Sequence, residues 1–542
     1  MARCSAAVGG WGGGQRFAMD RSLVNAGPVS GNPARPGFGR QPIPMLAMPD
    51  EVYADVVRYN SSMSACTKGA QWQRALAMFQ RMPAAQLQAD VFSFSAAISA
   101  CSKGQAWQHA LALFRTMSAT LLEPDGVIFN GAISACEKAG QWRHALSLFS
   151  AIATANIRAD VVSFNATISA FEKGGQWQLA LALFASMTGV KVRTNVITFS
   201  ATISACEKVG KWQQALSLFE AMTSEQVEAN EVSFAATISA CEKSGQWKQA
   251  LKLFGAMPAA RVQASAISFN SSISACEKSG HWEQSFAQFW KMHDANVPFD
   301  PISFNASISA CEKSSTWQQA LALFLAMPRA RVQADEISYN SAISACEKVG
   351  QWQLALMLFG AMPAARLQAN VISFSAAISA CEKAGQWQQA MALFWAMPDA
   401  QVQANAVSFS ATISAFERAG QWQKALTLFY LMPHTSVQTN VVGFNAAMSA
   451  CETAGRWQET LSLFREMPAA EVEASAISHT ASISACEQGS RWQHAVRLFW
   501  AMQTQIAPTQ VCFACLTRMP GMHRPQVLHT LKGQLRGTLR RL

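Results

Sequence analysis

The sequence is short of charge. Asp, Glu, Lys and Arg make up 14% of its 542 residues, while 50% are apolar; soluble domains usually carry about 25% charged residues, and an apolar share this high excludes wholesale disorder. No apolar run reaches the ~18 residues that a membrane-spanning helix needs, which excludes an ordinary membrane protein. Phosphate-cradling Gly loops and a Ser/His/Asp order are also missing, so nothing points to an enzyme. Acid is scarce at both ends. Residues 1–49 carry five Arg against the single acid Asp20, and residues 511–542 carry six basic residues and no acid. Positions 50–510 hold 32 basic and 32 acidic residues, so the net charge of +10 resides in the two ends. Bulk charge is therefore a poor witness for a nucleic-acid partner.

A strict repeat fills the middle. Thirteen tryptophans, from Trp72 to Trp492, fall 35 residues apart without a slip. They define thirteen units over residues 56–510, and the three or four domains that the length would suggest collapse to one array. In the unit at 161–195, the first, fourth, seventh, eighth and eleventh positions (Val161, Phe164, Thr167, Ile168, Phe171) share one helical face. The second, fifth, ninth and thirteenth (Val162, Asn165, Ser169, Lys173) fall opposite and are expected to point away from the core. Gly174 and Gly175 break the first helix; Trp177, Ala180, Leu181, Phe184 and Met187 form the stripe of a second. Met-Pro endings such as Met257-Pro258 and Met362-Pro363 stop that second helix. No unit buries both stripes alone, so neighbours must stack into an all-α solenoid.

Eleven of the 14 cysteines occupy the eleventh position, where Phe171 and Phe416 replace them in two units. A site that accepts Phe for Cys is a packing site, and free cysteine there implies a reducing compartment. The periodic Trp, in register with Leu and Phe, reads as core rather than as a stacking platform.

The 35-residue unit V-[VI]-S-F-[NS]-x-x-I-S-A-C-E-K-x-G-x-W-x-x-A-L-x-L-F-x-x-M, ending V-x-A-[DN], resembles the pentatricopeptide repeat. The tetratricopeptide repeat differs in period and in its Trp, Gly and Tyr pattern. The resemblance implies a right-handed superhelix of about thirteen helix-turn-helix repeats that binds single-stranded RNA in an organelle, one base per repeat. It also implies that the fifth and thirty-fifth residues choose the base. These pairs are Asn60/Asp90, Ser95/Asp125, Asn130/Asp160, Asn165/Asn195, Ser200/Asn230, Ala235/Ser265, Asn270/Asp300, Asn305/Asp335, Asn340/Asn370, Ser375/Asn405, Ser410/Asn440, Asn445/Ser475 and Thr480/Gln510. Ionised Asp only accepts hydrogen bonds and suits U and G, whose ring nitrogen carries a proton; Asn also donates and suits C and A. With the family's rule that Asn at the fifth position goes with pyrimidines and Ser or Thr with purines, the expected target is UGUCANUUCAACN. The sixth pair is unusable, and the thirteenth departs from the scheme.

Base-flanking residues are implied at the second position: Val57, Phe92, Val127, Val162, Ile197, Val232, Ile267, Ile302, Ile337, Ile372, Val407, Val442 and Ile477. The other reading is that this column packs against the next unit. At the thirteenth position stand Lys68, Lys103, Lys138, Lys173, Lys208, Lys243, Lys278, Lys313, Lys348, Lys383 and Arg418, then Thr453 and Gln488. A cation column beside a base-reading face suits phosphate contact; the neighbouring Glu137, Glu172 and Glu207 offer the alternative of a charge-balanced helix end. The H-x-E motif of relatives that carry a deaminase is missing. Cys512 and Cys515, with His523 and His529, are spaced poorly for zinc, so no metal or cofactor is expected, and the residues after 510 are too few for a nuclease domain. Residues 1–49 read as a disordered leader and possible transit peptide, favouring chloroplast over mitochondrion, 50–55 as a truncated cap repeat, and 511–542 as a degenerate repeat with a basic tail. A monomer that recruits RNA-processing proteins is expected. The competing reading is a protein-binding scaffold.

Overall fold

The computed structural model describes residues 50–505, apart from 70, 121, 191 and 436. The leader, Gln510, the Cys512/Cys515 pair and the basic tail lie outside the described residues. Within them the chain forms 26 α-helices and two short 3₁₀ turns, with no strand. The chain divides into two compact units, Met1–Ala275 and Cys276–Leu542, and each is a stack of helix pairs.

Each pair is one 35-residue repeat. Val161–Lys173 and Trp177–Gly189 are typical, and every first helix from the second repeat onward has the same 13-residue length. Before the first repeat, residues 50–55 run as the opening turns of the helix Asp50–Lys68. First helices end where expected: Gly174 follows Lys173, and Gly175 takes a left-handed φ of +68°. A Cβ at Gly174 would sit 2.4 Å from the Trp142 ring of the preceding repeat as that ring stands here. Before the last repeat, the second helix comes in two lengths. Where Met-Pro follows, as at Met257-Pro258 and Met362-Pro363, it spans 10 residues; Trp142–Thr154 and Trp212–Ser224, without that proline, span 13. Proline removes the amide that would continue the ladder, and the chain turns three residues earlier.

Burial follows the period. Phe164, Thr167, Ile168 and Phe171 are buried, as are Ala180 and Met187, while Trp177 is half-buried. Within each unit the first helices pack on one another, and each second helix also touches the first helix of the following repeat. An edge-to-face pair pins that junction: Phe149 meets Phe164 at 4.9 Å and Phe394 meets Phe409 at 4.8 Å. Ile168 and Ile413 are fully enclosed, so truncating either to Ala would cost about 2–5 kcal/mol. The eleventh-position cysteines are free thiols, buried except for Cys66, and burial pushes that of Cys101 up to about 11. They behave as small core residues, in line with their exchange for Phe.

Candidate nucleic-acid interface

Three columns of side chains run along the first helices. The second-position residues, Val57 through Ile477, are 46 to 74% exposed, so they do not pack into the neighbouring repeat. An uncovered β-branched column of this length is unusual on a solvated surface.

The fifth residues differ from the helical-wheel expectation. Ser200, Asn270, Asn305, Asn340, Ser375 and Ser410 are buried, and Asn60, Ser95, Asn130, Asn165 and Asn445 are half-buried. They lie between successive first helices. The carboxamides are held by the last residue of their own repeat: Asn60 Nδ2 donates to Asp90 Oδ1 at 3.1 Å, Asn130 to Asp160 at 3.2 Å, Asn165 to Asn195 at 3.3 Å and Asn305 to Asp335 at 3.0 Å. Asn340 reaches Asn370 at 3.4 Å and Asn445 reaches Ser475 at 3.2 Å. The fifth and thirty-fifth residues, 30 apart in sequence, are thus brought together. Asn270 and Asp300 belong to different units.

The thirty-fifth residue is also the N-cap of the following first helix. Asp90, Asp125, Asp160, Asn195, Asn230, Asp300, Asp335, Asn370, Asn405, Asn440 and Ser475 each accept the backbone N–H three residues on. Burial pushes the Asp160 and Asp335 carboxyls up, but hydrogen bonds from Ser163 and Asn130, and from Ser338 and Asn305, win and hold both below the usual carboxylate value. Both are acceptors at neutral pH.

Serine at the fifth position leaves room. In the tenth repeat a cleft of about 290 Å³ is lined by Ile372, Ser375, Asn405 and Val407, together with Glu347 and Ser379. The Ser375 hydroxyl is buried beside it with no hydrogen-bond partner among the described residues. One fifth residue, one thirty-fifth residue and two successive second-position residues therefore border a single opening.

The thirteenth-position cations are exposed, but most are not free. Each pairs with the twelfth-position glutamate of the preceding repeat: Lys173 with Glu137 at 2.7 Å, Lys208 with Glu172 at 3.1 Å, Lys243 with Glu207 at 2.6 Å. The second unit repeats this with Lys313/Glu277 at 2.6 Å, Lys348/Glu312 at 3.2 Å, Lys383/Glu347 at 2.9 Å and Arg418/Glu382 at 3.2 Å. Lys278 is exposed at the equivalent place. Lys68, Lys103 and Lys138 make no ion pair among the described residues, because Thr67 and Ser102 stand where later repeats carry Glu. The ladder was hidden in the sequence: its partners are 36 residues apart.

The third position went unnoticed in the sequence. Its Ser or Thr is buried in most repeats and in six of them bonds the fifth-position Asn of the preceding one. Its signal was present: each Asn at the fifth position is followed, 33 residues on, by Ser or Thr. Among the described residues no group of His, Cys, Asp and Glu could hold a metal ion, and no helix is long and apolar enough to cross a membrane.

Stacked helix pairs with these aligned columns define a helical-repeat solenoid. Family models match it in series: the PPR repeat over 127–157, the PPR repeat family over 159–208, the pentatricopeptide repeat-containing protein model over 201–327 and the pentacotripeptide-repeat region of PRORP over 300–480. The chain belongs to the pentatricopeptide repeat proteins. Its fold is similar to that of pentatricopeptide repeat protein PPR10 from maize, with a TM-score of 0.52, 17% identity, and 90% of this chain and 80% of that one covered. PPR10 in complex with an 18-nt psaJ RNA element matches at a TM-score of 0.46 and 17% identity, over 88% and 78% of the two chains. Yeast Rmd9p in complex with a 16-nt target RNA matches at 0.26 and 8%, over 86% and 85%. No curated protein matches the sequence.

Proposed function

We propose that this chain binds single-stranded RNA sequence-selectively, one base per repeat, without catalysing a reaction itself. The cleft of the tenth repeat carries the reading: an unpartnered hydroxyl and a capping amide sit between two exposed β-branched side chains. Those are the parts needed to sandwich a planar base and meet its edge with hydrogen bonds. Stacking on both faces with polar recognition at the rim is a general solution for unpaired bases. The solved relative with RNA bound, PPR10 with the psaJ element, is consistent with this class of ligand. The proposed target is UGUCANUUCAACN, and the setting is an organelle, chloroplast rather than mitochondrion. There, occlusion of a transcript or recruitment of a processing enzyme would affect its processing, stability or translation.

The reading is tested by fluorescence anisotropy with that 13-mer and scrambled versions; equal affinities sink the base-per-repeat scheme. A sharper form uses Asp160→Asn. Asn adds a donor where only acceptors stood, so the preference at the third nucleotide should move from U towards C, with the Kd ratio between the two changing at least several-fold. An interaction that survives RNase and brings down a protein partner, without RNA affinity in the purified chain, would favour the scaffold reading.

A further inference from the structure

Six repeats of the two units share a three-residue arrangement that the pairing of fifth and thirty-fifth residues does not include. The hydroxyl of the third residue of the following repeat lies against Oδ1 of the fifth-position Asn: Ser93 to Asn60 at 2.7 Å, and Ser163 to Asn130, Thr198 to Asn165, Ser338 to Asn305, Ser373 to Asn340 and Ser478 to Asn445, each at 2.6 Å. In the same six repeats the Asn Nδ2 donates to the thirty-fifth residue. A carboxamide has one acceptor oxygen and two N–H donors. The hydroxyl faces the oxygen while also lying against the thirty-fifth residue, as Ser163 does against Asp160 Oδ1 at 2.7 Å, and the thirty-fifth residue takes one N–H; together these contacts set one of the amide's two flipped orientations, with a single N–H left to offer.

The contrast with serine repeats argues that the arrangement is specific to Asn. After Ser95 the third position is Ile128, and after Ser410 it is Gly443. After Ser200 it is Ser233, which turns its hydroxyl to the backbone carbonyl of Asn230 at 2.8 Å. Ser233 still completes a capping box with Asn230, as Ser163 does with Asp160. Capping is therefore common to both kinds of repeat, whereas the bond to the fifth residue is found only with Asn, in the six repeats above; Ser303, 33 residues after Asn270, instead directs its hydroxyl to the backbone carbonyl of Asp300 at 2.8 Å.

We propose that the third-position hydroxyl of each following repeat is a positioning residue for base selection: it orients the fifth-position Asn so that its remaining N–H meets the O2 carbonyl that uracil and cytosine both present. Adenine has no carbonyl to accept that bond. This rests on the base-per-repeat reading above, and it assigns to Ser163 and its equivalents a part of the choice of pyrimidine over adenine.

The test uses the full chain and a set of 13-mers with each of the four bases at the third nucleotide. Ser163→Ala should reduce the preference for pyrimidine over adenine there about tenfold, because the amide then loses one of the two contacts that orient it, while Ser163→Thr, the residue found at Thr198, should retain it. Ser233→Ala loses the same capping hydroxyl after a serine repeat, so it should lower Tm to a similar extent yet leave selectivity at the fifth nucleotide unchanged. Equal selectivity in Ser163→Ala and the parent chain, with Asp160→Asn still shifting U towards C, overturns the positioning role alone. If neither variant moves selectivity, the base-per-repeat scheme falls with it.

Discussion

The first three repeats, in one unit, and the last three, in the other, carry opposite ends of the same pairing pattern. Because each cation pairs with the glutamate of the repeat before it, a run of such repeats must leave cations unmatched at its start and acids unmatched at its finish. At the start stand Lys68, Lys103 and Lys138, with Thr67 and Ser102 in place of glutamate. At the finish stand Glu417 and Glu452, faced by Thr453 and Gln488 instead of Lys; Glu452 takes a hydrogen bond from Ser484 instead. A chain neutral over positions 50–510 is thus electrically directional, and the count of charges conceals it. In the paired middle, a phosphate would have to compete with a carboxylate for each ammonium. At the start it would not.

The largest effect that could break this comparison is on RNA affinity. Replacing Lys68, Lys103 and Lys138 together by Gln should weaken RNA binding about tenfold near 0.1 M salt and flatten the dependence of log K on log salt by about 2, since each single-strand phosphate contact contributes a slope of roughly 0.7. The same triple change at Lys243, Lys313 and Lys383 should alter the salt slope by less than half as much. Anisotropy titrations at several salt concentrations decide between them, and equal slopes would show that paired and unpaired cations serve RNA alike.

A second, smaller effect concerns pH at the acidic finish. Burial, aided by Glu382 and Glu452 and opposed by Arg418, pushes the Glu417 carboxyl up to about 7. Its folded value thus lies above the ~4.3 of an unfolded chain, so the folded state binds the extra proton between those values. Stability from this group is present below about pH 4 and is lost as pH rises through 7. Tm of the full chain should fall between pH 5 and pH 8 more than in Glu417→Gln, and parallel profiles would reject this.

The smallest effect is repair. Thr453→Lys would supply the missing partner of Glu417 and should stabilise by about 0.5–1 kcal/mol at pH 8, the range of a partly exposed ion pair. Denaturant unfolding measures it. Thr67→Glu, which supplies Lys103 with a partner, should do likewise at the opposite end while weakening RNA binding two- to threefold; a gain in affinity would contradict the competition argument.

Much of this was legible in the sequence. The Trp period placed every repeat, the glycine and Met-Pro signals placed the helix ends, and the Cys-for-Phe exchange identified a core position. What the helical wheel misjudged was the fifth position. A wheel treats one helix in water, and Asn165 does point away from that helix's own second-helix partner, but the next repeat closes over it. Ser163 was overlooked for the same reason, and the charge balance expected from the neighbouring glutamates runs between repeats, from Glu137 to Lys173. Each arises from a neighbour 33 to 36 residues distant, beyond the reach of local periodicity.

The double duty of the thirty-fifth residue has a consequence for how such a protein can be rewritten. That residue must cap a helix before it can do anything else, and the side chains that cap well are few: Asp, Asn, Ser and Thr. In the described repeats its occupants are drawn from that short set. Asp and Asn cap about equally, so an exchange such as Asp160 for Asn changes what the edge of a ligand meets at almost no cost to the fold. On the proposed base-per-repeat reading, mutation can therefore walk through target sequences along a path of nearly constant stability, with an alphabet bounded by the chemistry of helix beginnings.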